Sequence, residues 1–150
     1  MTTTTPSAIS RLTDRGTNIG LLVLRIVLGV TFLAHGAQKF FVFTIPGTQA
    51  SFADMGVPLP EVAAIVVATL ELVGGAFLIL GLATRIVGVM LAVDMAVALF
   101  LVHLSSGFFA ADGGVELVLL LAVGALVLAL TGPGVYALDT FVRRRIAPTS

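Results

Sequence analysis

The chain has 150 residues, of which 58% are hydrophobic and 11% are charged, and its formal net charge is zero. Soluble domains are about one quarter charged, so this composition, with a mean hydropathy of +1.14, predicts a protein whose surface mostly faces lipid. Cysteine is absent, which excludes disulfides, thiolate metal sites and dithiol redox chemistry. Without a basic stripe carrying interleaved aromatic residues, a nucleic-acid partner is not expected.

Four apolar segments follow in chain order, each near the roughly 20 residues that cross a bilayer as a helix. They cover about residues 19–40, 61–83, 85–104 and 114–131. Lipid offers backbone groups no hydrogen-bond partner, so helices are the expected spanning structure. The sequence therefore predicts an all-α membrane protein, a four-transmembrane-helix bundle over residues 19–142. A flexible polar tail over residues 1–18 precedes this bundle, and a basic tail over residues 143–150 follows it.

The connections between these helices differ in length. A loop rich in Gly and Pro leads to the second helix, with Pro60 at its start. Thr84–Arg85 forms a tight turn that makes the second and third helices antiparallel neighbours. The loop before the last helix contains Asp112, which is expected to cap that helix. The final segment VYALDTFVRRR is typical of a short interfacial segment, with Tyr136 and Phe141 toward the membrane.

The basic residues predict an orientation. With an even number of spans, both termini and the Thr84–Arg85 turn lie on one side of the membrane. That side holds six arginines, against Lys39 alone on the other side: Arg11, Arg15, Arg85, Arg143, Arg144 and Arg145. Basic residues accumulate on the cytoplasmic side, so both termini are expected in the cytoplasm and both longer loops outside.

Ionisable residues within the spans are the candidates for function: Arg25, His35, Lys39, Glu71, Asp94, His103 and Glu116. A charge at mid-bilayer costs roughly 2.5–3.5 kcal/mol on insertion scales, so such residues usually face the bundle interior and have partners. Their depth, at about 1.5 Å per residue, predicts a carboxylate–imidazole pair between Glu71 and His35. It also predicts a deeper ion pair between Arg25 and Asp94.

Simpler interpretations stand beside these pairs. Arg25 can snorkel to the inner headgroups, and Lys39 can anchor the outer interface. The two mid-span acids can link helices without doing chemistry. His103 is expected to contact a loop, and for Glu116 the stronger interpretation is a favourable place in the first turn of its helix.

Small residues recur on the second and third helices. Gly88, Ala92 and Ala96 repeat every four positions, and Gly74–Gly75 follows Glu71 by one turn. In lipid, such residues let helices approach closely. Close packing is therefore the default prediction, and a narrow ligand crevice is the alternative.

Three segments carry a family resemblance. The first helix, LLVLRIVLGVTFLAHGAQKFF, has an Arg, a Gly, an HG pair and a nearby Lys; ELVGGAFLILGLATR and GGVELVLLLAVGALVLALTGPGVYALD follow in order. Together they resemble the opening, second-helix and closing motifs of the DoxX family of bacterial integral membrane proteins. The resemblance covers about residues 19–140, and the positions that match family motifs are Arg25, His35, Lys39, Glu71 and Glu116.

This resemblance implies a four-helix, multi-pass protein of the bacterial cytoplasmic membrane and a link to redox chemistry. Members of the family are associated with membrane oxidoreductase complexes, including the quinone-reducing thiosulfate oxidoreductase subunit for which the family is named. Nothing in this chain identifies thiosulfate as its substrate. Because the chain lacks cysteine, its electron carrier is expected to come from a partner.

The resulting hypothesis is a membrane subunit of an oxidoreductase system that binds a quinone noncovalently in a polar seam. His35 and Glu71 are the predicted catalytic residues, which handle the protons of the quinone. The predicted cofactor-binding residues are Arg25, Lys39, Asp94 and Glu116. No residue is assigned to a metal. The expected partners are the lipid bilayer, a soluble or membrane oxidoreductase, and a second copy of the chain.

Two other functional classes stay open. The same polar core suits a protein that lets a small solute or protons permeate. The outer loops or the Arg-rich tail suit a noncatalytic anchor that recruits a soluble redox enzyme. Because the sequence has no pair of haem-ligating histidines at matched depth and no nucleotide motif, electron transfer by the chain alone is not expected.

Overall fold

The computed structural model describes residues 8–146, with side chains from residue 13 to residue 145, and this range is helical without strands. The six α-helices in this range are α1 (Ala8–Ala37), α2 (Ile45–Asp54), α3 (Pro60–Leu80), α4 (Thr84–Ala98), α5 (Glu116–Thr131) and α6 (Leu138–Ile146). Helix α1 continues as a π-helical extension (Gln38–Val42), and α4 continues as a π-helical extension (Leu99–His103) and a 3₁₀ turn (Leu104–Ser106). A further 3₁₀ turn (Ala110–Asp112) precedes α5. The all-α prediction is confirmed.

Within the described residues, three helical stretches are long and apolar enough to cross a membrane: Thr13–Val42, Pro60–Leu80 and Thr84–Ser106. The fourth apolar helix, α5, has 16 residues. At 1.5 Å per residue it is roughly 24 Å long, against about 30 Å for the hydrocarbon core of a bilayer. Each predicted span is thus a helix, and three of the four reach the length of a full crossing.

The four long helices pack as a ring. The most extensive contacts join α1 to α3 and α4 to α5, and smaller contacts of α3 with α4 and of α1 with α5 close the ring. In this order α1 lies diagonally opposite α4. Buried apolar side chains fill the interior: Leu28, Phe32, Leu78, Leu91, Leu121 and Leu128.

The bundle has two distinct ends. The turn end contains the connection between α3 and α4 and the segment that leads from α5 into α6. There the Asp139 carboxylate accepts hydrogen bonds from the backbone N–H groups of Ala83 at 2.8 Å and Thr84 at 3.0 Å. These bonds satisfy free donors at the start of α4 and fasten α6 to the α3–α4 turn. The loop end, opposite, contains α2 and residues 104–115.

Glycines set the close approach of the helices. A Cβ atom added to Gly36 would overlap the backbone of Leu72 in α3, and one added to Gly75 would overlap the backbone of α1. A Cβ on Gly88 would lie 2.9 Å from a backbone carbonyl of α5. The predicted packing role is therefore confirmed at Gly75 and Gly88.

The ends of the chain differ from the prediction. Helix α1 begins at Ala8, so residues 8–18, assigned to a flexible tail, are helical, while residues 1–7 lie outside the described range. The three consecutive arginines of the predicted basic tail belong to the last turns of α6, and residues 147–150 also lie outside the described range. The predicted interfacial segment is thus a short amphipathic helix.

The loops contain two further differences. The Gly- and Pro-rich loop after α1 includes a helix, α2, because Pro46 occupies its first turn, where proline is tolerated, and the Thr44 hydroxyl accepts a hydrogen bond from the Gly47 N–H. The prediction that Asp112 caps the last helix is wrong. Asp112 closes a 3₁₀ turn, and α5 begins only at Glu116, after two glycines.

Candidate functional site

A cavity of about 700 Å³ lies in the loop half of the bundle. Small-molecule sites usually have volumes of about 300–1,000 Å³. Helices α1 to α5 all contribute to its wall, which is mainly apolar and includes Phe32, Phe43, Phe52, Met55, Met95 and Leu121. Ionisable side chains interrupt this apolar wall: His35, Lys39, Asp54, Glu71, Asp94 and His103. The cavity therefore brings together five of the seven ionisable residues that the sequence placed within the spans.

The shortest polar contact among the described residues of the cavity joins the π-helical extension of α1 to α3. The Lys39 ammonium donates a hydrogen bond of 2.5 Å to Oε2 of Glu71. The Glu71 side chain is only 4% exposed and the Lys39 side chain is 17% exposed. Since a buried charge is tolerated only when it is paired, this ion pair is what permits a carboxylate on the inner face of α3.

The predicted pairing of Glu71 with His35 is therefore wrong. Lys39 lies one turn further along α1 than His35, about 6 Å in rise. Helical side chains lean toward the N-terminus of their helix, and the long Lys stem covers the remaining distance. Lys39 also lies in the π-helical turn, in which the Phe43 N–H donates a hydrogen bond of 2.9 Å to the Gln38 carbonyl. His35 itself is half-buried and lines the cavity.

Asp94 is the second carboxylate of the cavity. It lies on α4, within electrostatic range of Glu71 and Lys39. Its Oδ2 atom is buried and has no hydrogen-bond partner in the described part of the chain. Asp94 thus belongs to the Lys39–Glu71 group through charge but not through a hydrogen bond.

The predicted Arg25–Asp94 ion pair is also wrong. Arg25 is 2% exposed and lies toward the turn end. Its Nη1 donates to the Pro133 carbonyl at 3.0 Å and its Nη2 to the Tyr136 carbonyl at 2.6 Å. Depth alone suggested the pair, but α1 and α4 are diagonal in the ring, so two residues at similar depth on these helices do not meet. Arg25 is outside the cavity lining.

The two remaining candidates lie at the loop end. The His103 Nδ1 lies 2.6 Å from the Gly113 carbonyl, which confirms the expected loop contact. Because a carbonyl only accepts, His103 donates through Nδ1. The Glu116 carboxylate accepts a hydrogen bond from the Ala110 N–H at 3.0 Å. Glu116 orders the loop before α5 and does not line the cavity.

Helix α2 contributes a part of the site that the sequence reasoning missed. Phe52 and Met55 of α2 line the cavity. The Thr48 hydroxyl, which is buried, bonds to the Lys39 carbonyl at 3.2 Å and to the Thr44 carbonyl at 2.9 Å. These bonds attach α2 to the turn that carries Lys39. The Thr-Ile-Pro sequence at residues 44–46 was the available signal, because it is typical of a capped helix start.

The arrangement suits a ligand with an apolar body and a polar group. Apolar walls accept the body, while the ammonium, the carboxylates and the two imidazoles can bind polar atoms and hold or move protons. Among the described residues, no group of three or more His, Asp or Glu side chains is placed to hold a metal ion.

The chain is similar in sequence to several bacterial proteins. It is 40% identical to “Putative oxidoreductase CatD” of Bacillus subtilis, with 86% of this chain and 91% of that protein aligned. It is 39% identical to an uncharacterized protein of Haemophilus influenzae, over 79% of this chain and 87% of the other. It is 33% identical to “Inner membrane protein YqjF” of Escherichia coli, over 85% and 95%. No solved structure matches the chain significantly.

A family model described as DoxX matches residues 20–104. This range is more than half of the chain and includes all six ionisable residues that line the cavity: His35, Lys39, Asp54, Glu71, Asp94 and His103. The alignments with the relatives cover 86% and 85% of this chain, which is more than the range of the family model, and most of each relative's own length. The chain is therefore a membrane protein of the DoxX family.

Proposed function

We propose that this protein is the membrane subunit of an oxidoreductase system and binds a quinone in the loop-half cavity. The observation that carries the proposal is the combination of a mainly apolar wall with the Lys39–Glu71 ion pair and the carboxyl group of Asp94. A quinone matches this combination, because it has polar oxygens on its ring and an apolar tail. The oxidoreductase name of the CatD protein, at 40% identity, also supports it.

The residues take distinct roles in this proposal. A bound quinone supplies an acceptor for two electrons and two protons, and the electrons come from a partner of the oxidoreductase class. The Lys39 ammonium stabilises negative charge that develops on a quinone oxygen, since a preorganised charge acts strongly in an apolar site. Glu71 holds Lys39 in place through the 2.5 Å contact. His35, one turn earlier on α1 and in the cavity wall, exchanges a proton with the ligand.

A membrane arrangement follows from the same proposal. Helices α1, α3, α4 and α5 cross the bacterial cytoplasmic membrane, with the turn end in the cytoplasm. The arginines of α6 and Arg85 lie at the turn end, where basic residues are favoured on the cytoplasmic side. Because α5 has 16 residues, the bilayer thins locally around it, as it does around short spans. The cavity then faces the outer half of the membrane.

Thermal unfolding of the purified protein in detergent tests the binding site. A short-chain quinone, added at increasing concentration, is expected to raise the unfolding temperature, because a ligand that binds only the folded state adds about 2.7 kcal/mol at one hundred times its Kd. Glu71→Gln is expected to remove most of this rise, since the amide cannot hold Lys39 as the carboxylate does.

Glu61→Gln is the matched control. Glu61 lies on the same helix, is exposed and is outside the cavity lining, so its substitution should leave the quinone-induced rise intact. The comparison is between rises with and without ligand, which separates binding from any change in baseline stability. An equal rise in both variants, or no rise in the unsubstituted protein, contradicts the proposal.

A further inference from the structure

The charges of the cavity do not balance on their own. Three carboxylates line the mainly apolar cavity; Asp54 is exposed, whereas Glu71 and Asp94 lie inside the bundle with one ammonium group, Lys39. The ion pair assigns that ammonium to Glu71. The other buried cation, Arg25, donates to backbone carbonyls at the turn end and lies outside the cavity lining. With the imidazoles of the cavity neutral, an ionised Asp94 would leave one uncompensated negative charge in an apolar site, which is strongly unfavourable.

The surroundings of Asp94 indicate how this charge is removed. Its Oδ2 atom is buried and meets no donor within hydrogen-bond distance in residues 13–145. An ionised carboxylate oxygen without donors loses its hydration and gains nothing in return. A protonated carboxyl group is neutral and can both donate and accept a hydrogen bond. A proton on Asp94 therefore removes the excess charge and leaves the carboxyl group able to donate to an acceptor in the cavity.

We propose that Asp94 holds a proton and that its carboxyl group donates a hydrogen bond to an oxygen of a quinone-class ligand in the cavity. The ligand part of this inference rests on the proposed function, whereas the proton part rests on the structure alone. Asp94 lines the same cavity as Lys39 and His35. In this arrangement a neutral donor and a cation serve the polar atoms of the ligand, while Glu71 stays engaged with Lys39.

Several other titratable groups face this cavity, and the experiment must distinguish a proton on Asp94 from a proton on one of them. Helix α1 provides His35 and its π-helical extension Lys39, α2 provides Asp54, α3 provides Glu71, and the π-helical extension of α4 provides His103. Among the described residues, α5 contributes only apolar side chains to the lining: Leu117, Val118 and Leu121. Glu71 and His35 are the groups that could hold the proton in place of Asp94. A variant at each carboxylate separates Asp94 from Glu71, and a proton on His35 would give no carboxyl band.

Infrared difference spectroscopy tests the proton directly and needs no ligand. A protonated carboxyl group has a C=O stretch above the amide I band, which shifts in D₂O. The unsubstituted protein is expected to show this band at neutral pH and to lose it at alkaline pH. Asp94→Asn should lack the band, and Glu61→Gln should keep it. Absence of the band in the unsubstituted protein, or its persistence in Asp94→Asn and loss in Glu71→Gln, overturns the assignment to Asp94.

Quinone binding over a range of pH tests the hydrogen bond. In the unsubstituted protein the affinity should fall as the pH rises through the range where the infrared band disappears, by roughly two- to tenfold, the range of one net hydrogen bond. Asp94→Asn resembles the neutral acid in shape and keeps a donor, so it should bind with nearly the same affinity at every pH. Asp94→Ala lacks the donor and should bind weakly throughout.

The two proposals fail in different ways. If Asp94→Asn retains the pH dependence of the unsubstituted protein, the role of Asp94 is wrong and the quinone site stands. If the infrared band is present but the unsubstituted protein binds no quinone at any pH, the proposed function and the hydrogen bond to the ligand are both wrong, and only the proton on Asp94 remains. Asp94→Glu serves if Asp94→Asn does not fold, because an infrared band that is retained but shifted in Asp94→Glu would still locate the proton at this position.

Discussion

Arg25 connects the first helix to the last segment of the chain. Both terminal nitrogens of its guanidinium donate to backbone carbonyls, those of Pro133 and Tyr136. These carbonyls lie in the irregular stretch between α5 and α6, which has no helix of its own to satisfy them. Asp139, a few residues later, caps α4. Arg25, which the sequence analysis predicted to bind a cofactor, thus holds the turn end of the bundle together.

Substitution of Arg25 by Ala is expected to destabilise the protein by about 3–6 kcal/mol, because hydrogen bonds to charged groups contribute about 1.5–3 kcal/mol each and Arg25 makes two of them. Arg25→Lys keeps the charge but not the planar fork, so its loss should be intermediate. Unfolding in detergent with increasing denaturant measures both. Arg143→Ala is the control, since Arg143 is exposed on α6. Equal stability of the Arg25 and Arg143 variants would show that the carbonyls find other donors.

The sequence predicted most of the ionisable residues of the candidate site but not which of them contact one another. Apolar helices made each ionisable residue conspicuous, and five of them do meet in one cavity. The partner of Glu71 was missed because the rise per residue gives the depth of a side chain in the membrane only to within one helical turn. The long side chain of Lys39 extends back over that turn and contacts Glu71. The Arg25–Asp94 pair was missed because depth does not tell which helices are diagonal in the ring.

At the scale of elements, the α1–α3 contact depends on glycine. Leu72 of α3 packs directly over Gly36, where an added Cβ would overlap the Leu72 backbone. The contact brings together the two helices that carry Lys39 and Glu71, so the distance across this ion pair depends on the absence of a side chain at Gly36. The sequence contains this signal as the HG pair, although its packing partner on α3 is visible only in the structure.

Gly36→Ala is therefore expected to destabilise the fold by about 1–3 kcal/mol, the usual cost of overpacking. Gly20→Ala is a matched control on the same helix, because a Cβ at Gly20 meets nothing within 4 Å. An Ala there should be neutral or stabilise by about 0.5–1 kcal/mol, since Gly is unfavourable inside a helix. Thermal unfolding of the two variants measures the difference. Equal effects would contradict a close α1–α3 contact at Gly36.

The elements themselves were largely predictable because hydropathy reports burial in lipid. The apolar segments correspond to α1, α3, α4 and α5, with boundaries that shift by a few residues, apart from the earlier start of α1 at Ala8. Helix α2 was not predicted, since Pro46 and Gly47 are typical of a loop. The capped start at Thr44 was the local signal for this helix, whereas its attachment to α1 through the bond from Thr48 to the Lys39 carbonyl is a contact that local sequence cannot report.

For the whole molecule, the decisive question is which side of the membrane each end faces, because this places the cavity. The absence of cysteine allows a direct test with single cysteines and a membrane-impermeant maleimide. Ser106→Cys marks the loop end and Arg144→Cys marks the turn end, and both positions are exposed. In intact cells only Ser106→Cys should react, and Arg144→Cys should react after permeabilisation, because the basic end is held in the cytoplasm.

The unsubstituted chain, which should not react at all, is the control for specificity. Labelling of Arg144→Cys but not Ser106→Cys in intact cells would invert the proposed orientation and turn the cavity toward the cytoplasm. Labelling of both would mean that the two ends of the bundle are not separated by the membrane, as expected if the three long helices and the shorter α5 do not all cross it. Only the expected pattern places the Lys39–Glu71 ion pair in the outer half of the bilayer. There a lipid-soluble ligand can enter from the membrane while its protons are exchanged with the outside.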